Sequence, residues 1–216
     1  MQDTITFYYS PQTRARSVAM LLDELQAPHE LHVLNMKAGE NRQPPFLAIN
    51  PLGKVPTIRH GDAVVTEQLA IHIYLGDLFP QAGLTPAITD PLRGPYLRWM
   101  AYFGACFEPA LIDAYLKREP AHEAMSPYGT YDQVIEVIRA QLAKGDYLLG
   151  DTFTVADVLW GTGIGWTLQF GLIPKLPEFE AYARRVSERP SYKRISEMDA
   201  AYAAEHEAAL AAASAG

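Results

Sequence analysis

The sequence predicts an α/β segment followed by an all-α segment. Three observations carry this. As far as Leu78, short β-branched and aromatic runs alternate with amphipathic helical patterns, as in a sheet whose strands are connected through helices. Phe79–Pro95 then holds four prolines and two glycines, a composition that interrupts regular structure. Beyond that stretch apolar residues recur at helical spacing, and no run of any length has strand character.

Ile5–Tyr9 is the first strand, stopped by Ser10-Pro11. Ala15, Val18, Ala19, Leu22 and Leu25 then fall on one face of a helix. Leu31–Leu34 is a second short strand, Lys37–Gln43 is a polar loop, and Phe46–Ile49 has room for one helical turn. Asn50-Pro51 and Gly53 are turn signals ahead of two extended runs, Thr57–His60 and Ala63–Thr66, with Gly61-Asp62 as the tight turn of a hairpin. Glu67-Gln68 opens the next helix, Leu69–Leu78. The order is βαβ–ββα, the thioredoxin-like arrangement, in which the first unit crosses over right-handed. The boundaries expected are 1–80 for this domain, 81–90 for a linker containing Thr85, and 91–216 for the all-helical domain.

In the second domain, Leu92–Lys117 has a long helical pattern that Glu108-Pro109 should kink, because proline lacks the amide proton the helix needs. Val134, Ile135, Ile138 and Leu142 mark another helix. Thr154 and Asp157 have the spacing of a capping box. The helix they start is apolar on nearly every face, which places it at the domain centre, with Gly161, Gly163 and Gly165 allowing close approach of neighbours. Phe179–Arg185 and Tyr192–Ala204 are the last helices, and the Ala-rich tail after Glu205 is expected to fray.

Composition narrows the function. A chain of 216 residues, 49% apolar and 20% charged, can bury a substantial core as a soluble globular protein. A net charge of -7 argues against a general nucleic-acid binder, which needs a basic face. The single cysteine, Cys106, excludes an intrachain disulfide and fits a reducing compartment. Met1–Thr6 is polar and lacks the charged-then-apolar order of a signal peptide. The apolar run Val158–Leu168 is far short of the ~20 residues of a membrane span. A cytoplasmic protein with no membrane partner is therefore expected. The six histidines show no ligand spacing, no phosphate-binding glycine loop occurs, and C-x-x-C is absent. No metal is expected.

The chain is organised around Asn50–Gln68. Proline cannot donate to a strand ladder, so Pro56 belongs at a strand start or edge. A cis Val55-Pro56 bond would turn the N–H and C=O of Val55 outward to pair with an extended ligand. The free amides of the helix beginning near Gln68 would attract a carboxylate beside that edge. Together these features make a site for a small peptide-like anion.

The sequence NPLGKVPTI, followed by an acid-plus-polar pair that opens a helix, resembles the glutathione-binding half of the cytosolic glutathione S-transferases. Asp151–Asp157 is similar to the capping-box sequence that begins the central helix of that family's second domain, and Glu188-Arg189-Pro190-Ser191-Tyr192 is similar to its last helix-turn-helix. The three matches keep their order and spacing from Ile5 to about Met198. Ser10–Ala15 looks most like the bacterial, theta-like, serine-using classes, with Ser10 four residues before Arg14.

The resemblance implies a homodimer that binds glutathione as co-substrate and activates its thiol for attack on a hydrophobic electrophile. It gives Ser10 the hydroxyl that hydrogen-bonds the sulfur. Capping the first helix is the other role open to Ser10, and Tyr8, Tyr9 and Thr13 are competing donors. Glu67 would pair with the γ-glutamyl ammonium, and Gln68, where the family has Ser, would meet the carboxylate. Val55 and Pro56 carry the peptide-pairing edge. Lys54 is a candidate for the glycyl carboxylate, as are Asn41 and Arg42. Tyr102, Phe103, Phe107 and Trp166 are candidate walls of an electrophile pocket facing Ser10, although an aromatic stripe also suits a helical core. Cys106, inside a helix, suits a small hydrophobe. Alternative functions are a non-catalytic binding or regulatory protein, or a glutathione-dependent isomerase, dehalogenase or peroxidase.

Overall fold

The structure, a computed structural model, describes residues 4–119 and 121–214. Met1–Asp3, half of the polar start considered above, lie outside the described residues. The chain divides into two compact units, one formed by residues 1–79 with 190–216 and the other by residues 80–189.

The first unit contains β1 (Ile5–Tyr9), α1 (Ala15–Glu24), β2 (His29–Val33), the short α2 (Pro44–Leu47), β3 (Thr57–His60), β4 (Ala63–Val65) and α3 (Gln68–Leu78). The strands form one mixed sheet in the order β2-β1-β3-β4. β1 runs parallel to β2, with Phe7 beside Leu31, and antiparallel to β3, with Phe7 beside Ile58. β3 and β4 pair as the expected hairpin. This is the thioredoxin-like arrangement. Phe7, Tyr9, Ile58 and the inner face of α1 (Val18, Leu21, Leu22) are fully buried, as their spacing requires. On the other side of β1, Tyr8 packs against His32 and Phe46.

The last helix departs from expectation. α9 runs without interruption over Pro190–Ser214 and includes the tail expected to fray. Nor does it group with the helical segment that precedes it; it belongs to the sheet-bearing unit, against α1. Polar side chains explain this. Arg194 pairs with Asp23 at 2.5 Å, Ser191 donates to Glu24, Arg16 donates to Ser196 at 2.6 Å, and Lys37 pairs with Glu207. Exposed pairs contribute little individually, but these are spread from the first turn of α9 to near its last.

The second unit contains α4 (Arg93–Tyr102), α5 (Glu108–Tyr115), α6 (Tyr131–Leu142), α7 (Val155–Gln169) and α8 (Pro177–Ser187). Between α4 and α5 the chain makes a π-helical turn, Phe103–Phe107. This is where Pro109 was expected to disturb the long helix, and the wider turn accommodates the bond that proline cannot donate. α7 is buried on nearly all sides. A Cβ on Gly161 would lie 2.4 Å from Val186 of α8, so glycine is what lets these two helices touch. The carboxylate of Asp157 accepts the Thr154 N–H at 2.8 Å, the Thr154 hydroxyl at 2.9 Å, the Leu148 N–H at 2.9 Å and the Tyr182 hydroxyl at 2.8 Å. Burial pushes its pKa up against these four bonds. No helix among the described residues is long and apolar enough to cross a membrane.

Candidate functional site

The loop ahead of β3 is built by Asn50, a buried side chain with three hydrogen bonds. Its amide donates to the Lys54 carbonyl at 2.9 Å and to the Thr57 hydroxyl at 3.1 Å, and its oxygen accepts the Leu52 N–H at 3.1 Å. Thr57 in turn donates to the Lys54 carbonyl at 3.0 Å. Gly53 has φ 59°, and a Cβ there would lie 2.7 Å from the Asn41 carbonyl. The loop thus folds tightly enough to demand glycine. Asn41 and Arg42 brace it, donating to the carbonyls of Gly53 (2.8 Å) and Leu52 (3.1 Å).

The Val55-Pro56 bond is cis, as the sequence led us to expect. Among the described residues neither the N–H nor the C=O of Val55 is hydrogen-bonded. Tyr8 and Thr57 are the last pair of the β1–β3 ladder. Lys54 is exposed beside Val55.

Ser10 stands at the end of β1 and is 3% exposed. It does not cap α1. That task falls to Thr13, whose hydroxyl accepts the Ala15 N–H at 3.2 Å and donates to the Ser10 carbonyl at 2.7 Å. The Ser10 hydroxyl has no hydrogen-bond partner among the described residues, and Ser10 lines a cleft of about 220 Å³ with Pro11, Gln12, Thr13, Met36 and Lys37. Ala203 and His206 of α9 complete the lining. Two of the competing donors, Thr13 and Tyr9, are engaged elsewhere, whereas the Tyr8 hydroxyl has no hydrogen-bond partner among the described residues. The Tyr9 hydroxyl donates to Asp199, and burial followed by that carboxylate drives its pKa well above the usual tyrosine range. Tyr8 is buried beside Phe46 and His32.

Glu67 is the residue before α3 and has φ 65° and ψ 115°, outside every region that a side-chain-bearing residue favours. Its carboxylate is exposed. The first bond within α3 runs from the Ile71 N–H to the Glu67 carbonyl at 3.0 Å, and no side chain caps the helix. The amides of Gln68, Leu69 and Ala70 are therefore the open donors of its first turn. The Gln68 side chain does not point beyond them. Its amide donates to the Ser17 hydroxyl at 2.6 Å and approaches the Arg14 carbonyl at 3.4 Å, tying the start of α3 to the start of α1.

The aromatic candidates lie in the second unit. Phe103 and Phe107 are 3% and 2% exposed, with their rings 5.0 and 5.1 Å from that of Trp160. Tyr102 is half-buried and stacks on Trp160, whereas Trp166 is 47% exposed and packs on Phe170. Cys106 lies in the π turn, its thiol pKa pushed up by burial.

Sequence reasoning missed Lys37, Asp199 and His206. Lys37 was part of a polar loop with nothing to single it out. Asp199 and His206 come from α9, and His206 lies in the tail expected to fray. No local signal marks residues that reach a site from about 170–190 positions away in the chain.

Comparison with known proteins places the chain in a family. Residues 13–78 match the glutathione S-transferase N-terminal domain, and residues 99–190 match the C-terminal domain. The chain is 30% identical to glutathione S-transferase APIC from Nicotiana tabacum over 165 residues, covering 71% of this chain and 78% of that protein. Among solved structures, a glutathione transferase from Methylococcus capsulatus is 26% identical with a TM-score of 0.77, over 91% of this chain and 99% of that one. A glutathione transferase homologue from Sulfitobacter with bound glutathione is 25% identical with a TM-score of 0.72, over 90% and 98%. This chain belongs to the glutathione S-transferase family.

Proposed function

We propose that the chain binds glutathione along Val55 and the first turn of α3, and that the Ser10 hydroxyl stabilises the thiolate for attack on a hydrophobic electrophile. The observation that carries this reading is the Ser10 hydroxyl itself. It lines a cleft, it lacks a hydrogen-bond partner among the described residues, and Thr13 has taken over the capping that would otherwise explain it. The hydroxyl opens into the cleft rather than into the core, so an acceptor atom of a bound ligand can reach it.

A free thiol has a pKa near ~8.5 and is mostly protonated at neutral pH. Lowering it by about two units needs roughly 2.7 kcal/mol of preferential thiolate stabilisation. One hydroxyl bond to a charged acceptor supplies about 1.5–3 kcal/mol. The thiol proton leaves to solvent, the sulfur lone pair forms the new bond to carbon, and the leaving group departs with its bonding pair.

Val55 offers one donor and one acceptor to an extended peptide backbone. The open amides of α3 suit the γ-glutamyl carboxylate, and the Glu67 carboxylate suits the neighbouring ammonium. Lys54, exposed beside Val55, is the cation for the glycyl carboxylate. Within the second unit, Tyr102 and Trp166 keep exposed ring surface, with Phe103 and Phe107 packed against Trp160 behind Tyr102. A cytoplasmic homodimer acting in detoxification completes the reading.

The test is retention of the purified chain on immobilised glutathione together with turnover of a chlorinated aromatic electrophile. Retention with turnover is expected. Retention without turnover across a panel of electrophile classes would make the chain a binding protein.

A further inference from the structure

We infer that Asp199, a buried carboxylate on α9, is a positioning residue that fixes where the Ser10 hydroxyl points. The inference rests on the assignment of Ser10 above and adds to it a second residue, from the far end of the chain.

Ser10 sits in a short irregular segment between β1 and α1, where no strand ladder or helix holds it. Gln12, two residues on, has φ 59°, a left-handed conformation unfavourable for a residue with a side chain. Something must hold it there. Its N–H donates to Oδ1 of Asp199 at 3.0 Å, and the same oxygen accepts the hydroxyl of Tyr9. The residue before Ser10 and the second residue after it are thus tied to one atom. Asp199 is 7% exposed and Tyr9 is fully buried, so solvent competes weakly for these bonds. Bonds to an ionised acceptor are also the stronger kind. α9 is itself anchored on both sides of Asp199, through Arg194 to Asp23 and through Glu207 to Lys37.

The role is geometric rather than electrostatic. A carboxylate beside a forming thiolate opposes it, and here its charge is directed onto two donors instead. The other charged or titratable groups around this corner are Arg16 from α1, Tyr202 and His206 from α9, and Lys37, which is paired with Glu207. None of them reaches the segment on both sides of Ser10.

The experiment follows the pH dependence of kcat at saturating glutathione in Asp199→Ala, Asp199→Asn, Ser10→Ala and the Ser10→Ala/Asp199→Ala double variant. Asp199→Ala should move the alkaline-rising limb upward by about one unit, roughly tenfold in rate near neutral pH. Asp199→Asn keeps an acceptor oxygen for both donors, so its limb should stay near that of the unmodified chain. In the Ser10→Ala background Asp199→Ala should add no further shift, because the two residues act on one bond. If Asp199→Ala does not fold, Asp199→Ser carries the same prediction, since it is too short to reach both donors. A purely structural Asp199 would lower the melting temperature and leave the limb in place. That result, with Ser10→Ala still shifting the limb, overturns this inference alone. An unmoved limb in Ser10→Ala overturns the Ser10 assignment and this inference with it.

Discussion

Glu67 and Gln68 stand side by side and were given related tasks by sequence resemblance, yet their surroundings separate them. Glu67 has an exposed carboxylate on a backbone with φ 65° and ψ 115°. Such a conformation costs about 1–3 kcal/mol for a residue with a Cβ. Glu67→Gly should therefore be more stable than Glu67→Ala by about 1 kcal/mol in thermal unfolding, while both lose glutathione affinity in calorimetric titration. Unchanged affinity in either folded variant would remove Glu67 from the site. Gln68 spends its side-chain amide on Ser17. Any contribution it makes to a carboxylate then comes from its backbone N–H, and Gln68→Ala should disturb glutathione affinity much less than Glu67→Ala does. The sequence offered the acid-amide pair but not this division of labour, because the partner, Ser17, lies 51 positions away on another helix.

The elements that frame the site make two further predictions. His72 lies one turn into α3, fully buried, with Nδ1 donating to the Gln68 carbonyl at 2.7 Å. That bond puts a proton on Nδ1, and the backbone of Gln68 and Ser17 favours the charged ring less than burial disfavours it. Burial lowers the pKa from 6.5 to about 4. The folded state therefore resists the proton that the unfolded chain accepts. The stability linked to His72 is complete above pH 6.5 and is lost as pH falls from there toward 4. The loss is on the order of 3 kcal/mol. His72→Gln should flatten this part of the stability–pH curve measured by denaturant titration, and an unchanged slope would contradict the assignment. In the loop before β3, Asn50→Ala leaves a buried donor or acceptor unmet and should cost about 1–3 kcal/mol. Glutathione binding should weaken in parallel, because Asn50 holds the carbonyl next to Val55. The turn chemistry of this loop was legible from Asn50, Gly53 and Pro56, and the cis bond was expected from the family resemblance of NPLGKVPTI. The way Asn50 braces it was not, since a side chain's choice of partners is set only when the loop has closed.

At the scale of the molecule, periodicity sufficed for the strands, the hairpin, the buried α7 and the break near Pro109, because each depends on neighbours within a turn or two. α9 was not legible. Its alanine-rich end carries no burial signal, and its order comes from ties to residues far back in the sequence, at Tyr9, Asp23, Glu24 and Lys37. The resemblance implies a homodimer, so light scattering should give twice the chain mass of 24.0 kDa. The central claim is that the Ser10 hydroxyl stabilises a thiolate. Its most direct test is the ultraviolet titration of glutathione bound to the unmodified chain and to Ser10→Ala, which follows thiolate formation without any electrophile. The account predicts a bound thiol ionising about two units below the free value near ~8.5, raised again by one to two units in Ser10→Ala with glutathione still bound. An identical titration in the two proteins, or a shift produced by Tyr9→Phe or Thr13→Ala instead, would contradict it.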